Sequence, residues 1–184
     1  MEDISLHLLD LVQNSIAAGA TLVKIYIQEQ TKKGCMYLQI CDNGKGMDKE
    51  QLNRVSDPFY TTRTSRNVGL GIPLFKASAE ATGGYLSIKS EKNKGTIVEA
   101  LFYTDHIDCL PLGKPEETMA ALIFLNPEIN FVYIHEINNN KFCLDTREVH
   151  EILGGVNITE PAVIDWIKEY IRSGLEDLNG GAIK

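Results

Sequence analysis

The sequence predicts an α/β protein, and three observations predict it. Residues 4–16 place apolar side chains at helical spacing, with Ile4, Leu8, Leu11, Val12 and Ile16 on one face. Residues 23–28 and 35–41 then alternate apolar and polar side chains with the period of a half-buried strand. Glycine-containing turns at residues 32–34 and 92–95 join the strands in pairs.

The first helix ends at Gly19, which suits the left-handed position that closes a helix, and His7, Asp10 and Asn14 form a polar stripe along it. The second strand runs into Asp42-Asn43-Gly44-Lys45-Gly46-Met47, a bare and tightly turning backbone. Asp48 and Gln51 have the spacing of a capping box for a short helix to about Val55. Residues 57–68 are polar with little periodicity and read as a mobile loop. Gly69-Leu70-Gly71 opens a helix to about Thr82, with Pro73 tolerated in its first turn, and strands at residues 85–90 and 96–102 follow.

Periodicity breaks near residues 105–115, which read as a linker between a first domain, 1–104, and a small α+β unit, 116–184. In that unit residues 116–125 look helical, and 131–135 with 141–145 form a hairpin across Asn138-Asn139-Asn140. The hairpin adds to the first domain's sheet, binds a partner's strand edge, or belongs to a cap that merely completes the core. A helix at 146–153 and a last helix capped by Thr159 complete it.

Composition excludes several classes. A net charge of −7, from 25 acidic and 18 basic residues, without clustered Lys and Arg, argues against nucleic acid or an anionic membrane as main partner. The four cysteines, 35, 41, 109 and 143, have neither zinc-site spacing nor the density of a disulfide framework. The acidic start is unlike a secretory signal, and no apolar run reaches membrane-spanning length, so a cytoplasmic location is expected.

The site chemistry follows from the pieces. Asp42, at a strand end before bare glycines, suits reading a flat ring by its exocyclic amine while Gly44 and Gly46 let the ring lie close. The helix opening at Gly69-Leu70-Gly71 offers free amides and a positive dipole end to phosphates. Asn14 can give one oxygen to a magnesium ion that takes its other ligands from phosphates and water. Asp10, one turn earlier, can orient or deprotonate a water.

An Asn-bearing helix, Asp-x-Gly-x-Gly, Phe-Tyr-Thr-Thr and Gly-Leu-Gly, in that order over residues 4–103, resemble the GHKL superfamily of gyrase, the large heat-shock chaperone, sensor histidine kinases and mismatch-repair ATPases. The resemblance implies a two-layer α/β sandwich, the Bergerat fold, with a mixed, mostly antiparallel sheet covered by helices on one face. It further implies Mg2+-ATP held by Asn14, Asp42, Gly44, Gly46 and Thr96, the phosphate-facing Gly69, Leu70 and Gly71, and a lid carrying Thr61, Thr62 and Arg63. Thr96 would join Asp42 through water.

Asp10 replaces the glutamate that chaperone and repair relatives use as base, and being one methylene shorter it bears on whether ATP is hydrolysed. His7, on the nucleotide helix, reads as a surface or capping residue, and His106, His135 and His150 have no visible partners. The expected function is that of an ATP-binding regulatory protein, a Mg2+-ATP-dependent kinase acting in trans on a partner protein. The alternatives are an ATP-gated switch with slow or no hydrolysis and, third, a DNA-repair-type ATPase.

Overall fold

A computed structural model describes residues 3–55 and 71–180. Helix α1, Ile4–Ala17, starts where the Asp3 carboxylate accepts the Leu6 N–H at 2.9 Å, and ends before Gly19 at φ +76°. Its apolar stripe buries Ile4, Leu8, Leu11 and Val12 completely or nearly so. Strands β1, Leu22–Gln30, and β2, Cys35–Asp42, form a hairpin whose short 3-10 turn closes at Gly34 in the left-handed region. Helix α2, Lys49–Arg54, carries the expected capping box, with Asp48 and Gln51 bonded reciprocally. Helix α3, Gly71–Ala81, precedes β3, Tyr85–Glu91, and β4, Gly95–Tyr103.

The second part of the chain contributes α4, Pro115–Leu125, the hairpin β5, Asn130–Ile137, and β6, Asn140–Asp145, then α5, Thr146–Leu153, and α6, Pro161–Leu178. The hairpin continues the first part's sheet. β5 lies parallel to β1 from Leu22–Asn130 to Glu29–Ile137, giving one six-stranded sheet ordered β3-β4-β2-β1-β5-β6. The other four pairings are antiparallel. The sheet is therefore mixed and mostly antiparallel, as expected.

Period-2 alternation separates the two sheet faces. Val23, Ile25 and Ile27 of β1, Met36, Leu38 and Ile40 of β2, Val98, Ala100 and Phe102 of β4, and Phe131 and Tyr133 of β5 are buried together with the apolar residues of α1, α3, α4 and α6. The opposite face is polar and held by its own bonds. The Tyr26 hydroxyl and the Gln28 amide donate to Glu136, while Tyr37 and Gln39 donate to Glu99, which also pairs with Lys89 at 2.8 Å. The segment after β4 is tied back to α1, whose Ile4 and Ser5 N–H groups donate to the Pro111 and Leu112 carbonyls.

Three expectations change. Thr159 is not the cap of α6: Glu160 takes that position without a side-chain bond and Pro161 is the first helical residue, while the Thr159 hydroxyl donates to Asn157. His7 is buried, because α3 packs on the side of α1 that a single helix leaves open; its ring lies 5.2 Å from that of Phe75. His135 has partners on both nitrogens, the Tyr133 hydroxyl and the Glu29 carboxylate, each at 2.7 Å, and the His106 Nδ1 accepts the Asp108 N–H at 3.2 Å. Strand pairing across a hundred residues of sequence creates the contact of His135 with Glu29.

Candidate functional site

The site forms where β2 ends beside the C-terminal turn of α1. Asp42 is the last residue of β2 and points to the helix side of the sheet, with 8% of its surface exposed. One carboxylate oxygen accepts the Ser15 hydroxyl at 2.7 Å, and the other accepts the Gly44 N–H at 2.9 Å. A buried carboxylate with a donor on each oxygen is fixed in direction, and each oxygen keeps a lone pair for a further donor.

The loop after Asp42 is pinned from both sides. The Lys45 N–H donates to the Ala18 carbonyl at 2.9 Å, and the Asn93 N–H donates to the Lys45 carbonyl at 2.7 Å. Asn43 accepts the N–H groups of Thr21 and Leu22 on its side-chain oxygen, both at 2.9 Å. Glycine is required at two of these positions. A β-carbon at Gly44 would come within 2.9 Å of the Ala18 carbonyl, and Gly46, at φ +60°, would set one 2.1 Å from the Glu91 carbonyl. Both glycines thus let the strand-end loop lie directly between α1 and the β3–β4 turn.

Thr96 stands across the ladder from Asp42, on the same face, and its hydroxyl is 2.9 Å from that of Ser90. Ser90 in turn donates to the Gly95 carbonyl and accepts the Met47 N–H. Asn14, half-buried, immediately precedes Ser15 on α1. Asp10 lies one turn earlier against the start of α3, where a β-carbon on Gly71 would sit 3.3 Å from the Asp10 β-carbon. Asn14, Asp42, Gly44, Gly46 and Thr96 gather at one end of the sheet, with Asp10 and Gly71 beside them. Thr61, Thr62, Arg63, Gly69 and Leu70 lie outside the described residues.

An adenine nucleotide fits this donor and acceptor set: an acceptor-only carboxylate fixed at a strand end, and side-chain-free backbone next to it. The described residues hold no cluster of three or more His, Cys, Asp or Glu able to bind a metal alone, so a cation here would take most of its ligands from phosphate and water.

The family model for histidine kinase-, DNA gyrase B- and HSP90-like ATPases matches residues 2–105, more than half of the chain. The chain belongs to this family. Among curated relatives of this GHKL domain, sensor protein DegM of Bacillus sp. strain B21-2 is 33% identical over 110 residues, 60% of this chain and 27% of that protein. Sporulation kinase C of Bacillus subtilis is 27% identical over 93 residues, 50% of this chain and 22% of that one. The histidine kinase ArlS of Staphylococcus aureus is 30% identical over 96 residues, covering 50% and 21%. The chain thus spans about a quarter of the length of these relatives.

Solved structures give the same fold for the GHKL domain. The N-terminal domain of a DNA repair protein superposes with a TM-score of 0.57 at 18% identity, over 79% of this chain and 53% of that one. The MutL ATPase domain of Aquifex aeolicus, complexed with ADP, gives 0.50 at 16% identity, over 84% and 70%. No helix among the described residues is long and apolar enough to cross a membrane.

Ser15 is the site residue that sequence reasoning missed. A signal was present, since serine is a poor helix former and Ser15 sits in the interior of α1 beside the apolar stripe, where a buried hydroxyl needs a partner. Burial pushes the pKa of His7 below its usual value of 6.5, with the charges of Asp10 and Asp3 acting in the opposite direction. Its Nδ1 has no hydrogen-bond partner among the described residues. A shallow cleft lined by Glu29, His135, Glu116 and Arg172 lies at the far end of β1 from Asp42 and is separate from this site.

Proposed function

We propose that the chain binds Mg2+-ATP at this site and uses it as a protein kinase acting in trans on a partner protein. The observation that carries the nucleotide reading is Asp42, buried at a strand end and held by Ser15 and the Gly44 amide so that its free lone pairs suit an exocyclic amine. Gly44 and Gly46 would form the floor beneath adenine. Asn14 would supply one oxygen to magnesium, and Thr96 would join Asp42 through water. Gly69, Leu70 and Gly71, with Thr61, Thr62 and Arg63, would face the phosphates. The bound cation would neutralise phosphate charge, while Asp10, beside the start of α3, would orient the attacking group.

The kinase reading draws support from sensor and sporulation kinases among the relatives. Incubation with γ-labelled ATP and an extract from the source organism tests it: a labelled protein is expected, and its absence sinks the kinase reading while leaving ATP binding intact. A second reading, an ATP-gated switch with slow or no turnover, is favoured by the short Asp10 side chain. Limited proteolysis within residues 57–68, with and without Mg2+-ATP, tests that reading, and identical cleavage patterns would exclude it. In steady-state phosphate release, Asp10→Asn should abolish turnover yet keep nucleotide binding if Asp10 acts on the attacking group.

A further inference from the structure

β6 is the last strand of the sheet, and among the described residues its outer side is uncovered up to the start of α5: residues 140–144 make no backbone hydrogen bonds beyond their ladder with β5, and the Asp145 carbonyl, at the N-cap, turns into α5. Alternation decides which groups point outward. The hairpin loop has two residues, Asn138 and Asn139, so the closing pair Ile137–Asn140 exchanges both bonds, and so do His135–Phe142 and Tyr133–Leu144. Lys141 and Cys143 therefore turn their N–H and C=O groups away from β5, and Asp145 its N–H. Their side chains share the face that the helices leave bare, whereas Phe142 and Leu144 are buried beneath α6.

This outward triplet is self-complementary. An antiparallel copy with Cys143 opposite the partner's Cys143 brings Lys141 opposite the partner's Asp145, and the partner's Lys141 opposite Asp145. In that register the Cys143 N–H and C=O groups of the two copies exchange bonds, each Asp145 N–H meets the Lys141 carbonyl across from it, and unlike charges stand directly across the ladder. Asp145 also keeps its ion pair with Arg147, so the charge pairs set register more than strength. On the other face, Trp166 stacks on Tyr170 at 5.2 Å and 12°, and Tyr170 rests 5.1 Å from Phe142. Those two rings remain 45% and 42% exposed beside the same strand. Joining the strands would bring large apolar surface of both copies towards the two-fold axis.

We propose that β6 is a homodimerisation edge, joining two copies antiparallel about Cys143 into one continuous sheet. The contact is isologous, so it closes at two copies and does not propagate. It also accounts for an edge strand that carries no proline or bulge to block pairing.

Sedimentation equilibrium of the full chain under reducing conditions tests the proposal. The wild type should approach twice its 20.5 kDa mass at rising concentration. Cys143→Pro removes one outward N–H at a position where an edge strand tolerates proline, and should leave a folded monomer. Lys141→Glu puts like charges opposite each other and should weaken the dimer about tenfold. A short bis-maleimide should link two wild-type chains but not Cys143→Ser chains. Circular dichroism verifies each fold, and if Cys143→Pro fails to fold, the surface change Lys141→Glu decides. A wild type that stays monomeric up to about 1 mM, or a dimer that Lys141→Glu leaves unmoved, overturns the proposal.

Discussion

Asp42→Asn separates the part of this carboxylate that holds the fold from the part that would read a ligand. In the wild type its two oxygens accept from the Ser15 hydroxyl at 2.7 Å and the Gly44 amide at 2.9 Å. The Gly44 N–H can only donate, so the asparagine carbonyl must stay with it, and the new NH2 group must turn to Ser15, whose hydroxyl can accept. Both local bonds survive, weakened by loss of the charge. An incoming exocyclic amine, by contrast, meets an NH2 where it met an oxygen. A hydrogen bond to a charged group contributes about 1.5–3 kcal/mol, so nucleotide affinity should fall roughly tenfold to a hundredfold. Isothermal titration with Mg2+-ADP measures the affinity, and thermal unfolding without nucleotide checks the fold. An Asp42→Asn protein that unfolds like the wild type and binds within twofold of it would refute the adenine-reading role.

Other perturbations bear on the surrounding structure. Gly46→Ala forces a β-carbon against the Glu91 carbonyl at φ +60° and should lower stability by about 2 kcal/mol or more in urea titration. His7→Leu fills the same space without an unpartnered nitrogen and should raise stability by about 1 kcal/mol at neutral pH. It should also remove a pH dependence. Because the folded-state pKa of His7 is lowered, the unfolded chain takes up a proton first as pH falls below 6.5, so the wild type loses stability there and the variant does not. His135→Leu leaves the Tyr133 hydroxyl buried without its partner and should cost about 2–3 kcal/mol, read as a lower thermal midpoint. Burial and the carboxylates of Glu136 and Glu99 push the Tyr26 and Tyr37 phenols up to about 12, so the stability they contribute is present below pH 10.0 and is lost as pH rises through about 12. Alkaline unfolding curves of Tyr37→Phe should be flatter in that range.

Most of this architecture was legible because its signals are local. The helical stripe of α1, the alternation in β1 and β2, the capping box at Asp48–Gln51 and the strand-end glycines all depend on neighbours within a few residues. What escaped depends on distant partners. His7 on an isolated helix falls in a polar stripe; only α3, arriving some seventy residues later, buries it against Phe75. Ser15 carried a weak hint, but its partner Asp42 is 27 residues away. His135 shows nothing of Glu29 until β5 lies beside β1. Whether the hairpin would extend the sheet or meet another chain was likewise undecidable from pattern, since alternation is identical in a central strand and at an edge.

The parallel pairing of β1 with β5 has a consequence for the order in which the chain acquires its shape. β1 meets β2 across a tight turn, whereas Gln28 reaches Glu136 over 108 residues. Closing so long a loop is entropically slow, and the early hairpin cannot wait for it. On a ribosome, Asp42 and its glycine loop would emerge and settle against α1 while the outer flank of β1 is still bare. Until β5 arrives that flank is an unpaired strand edge, open to pairing with other chains.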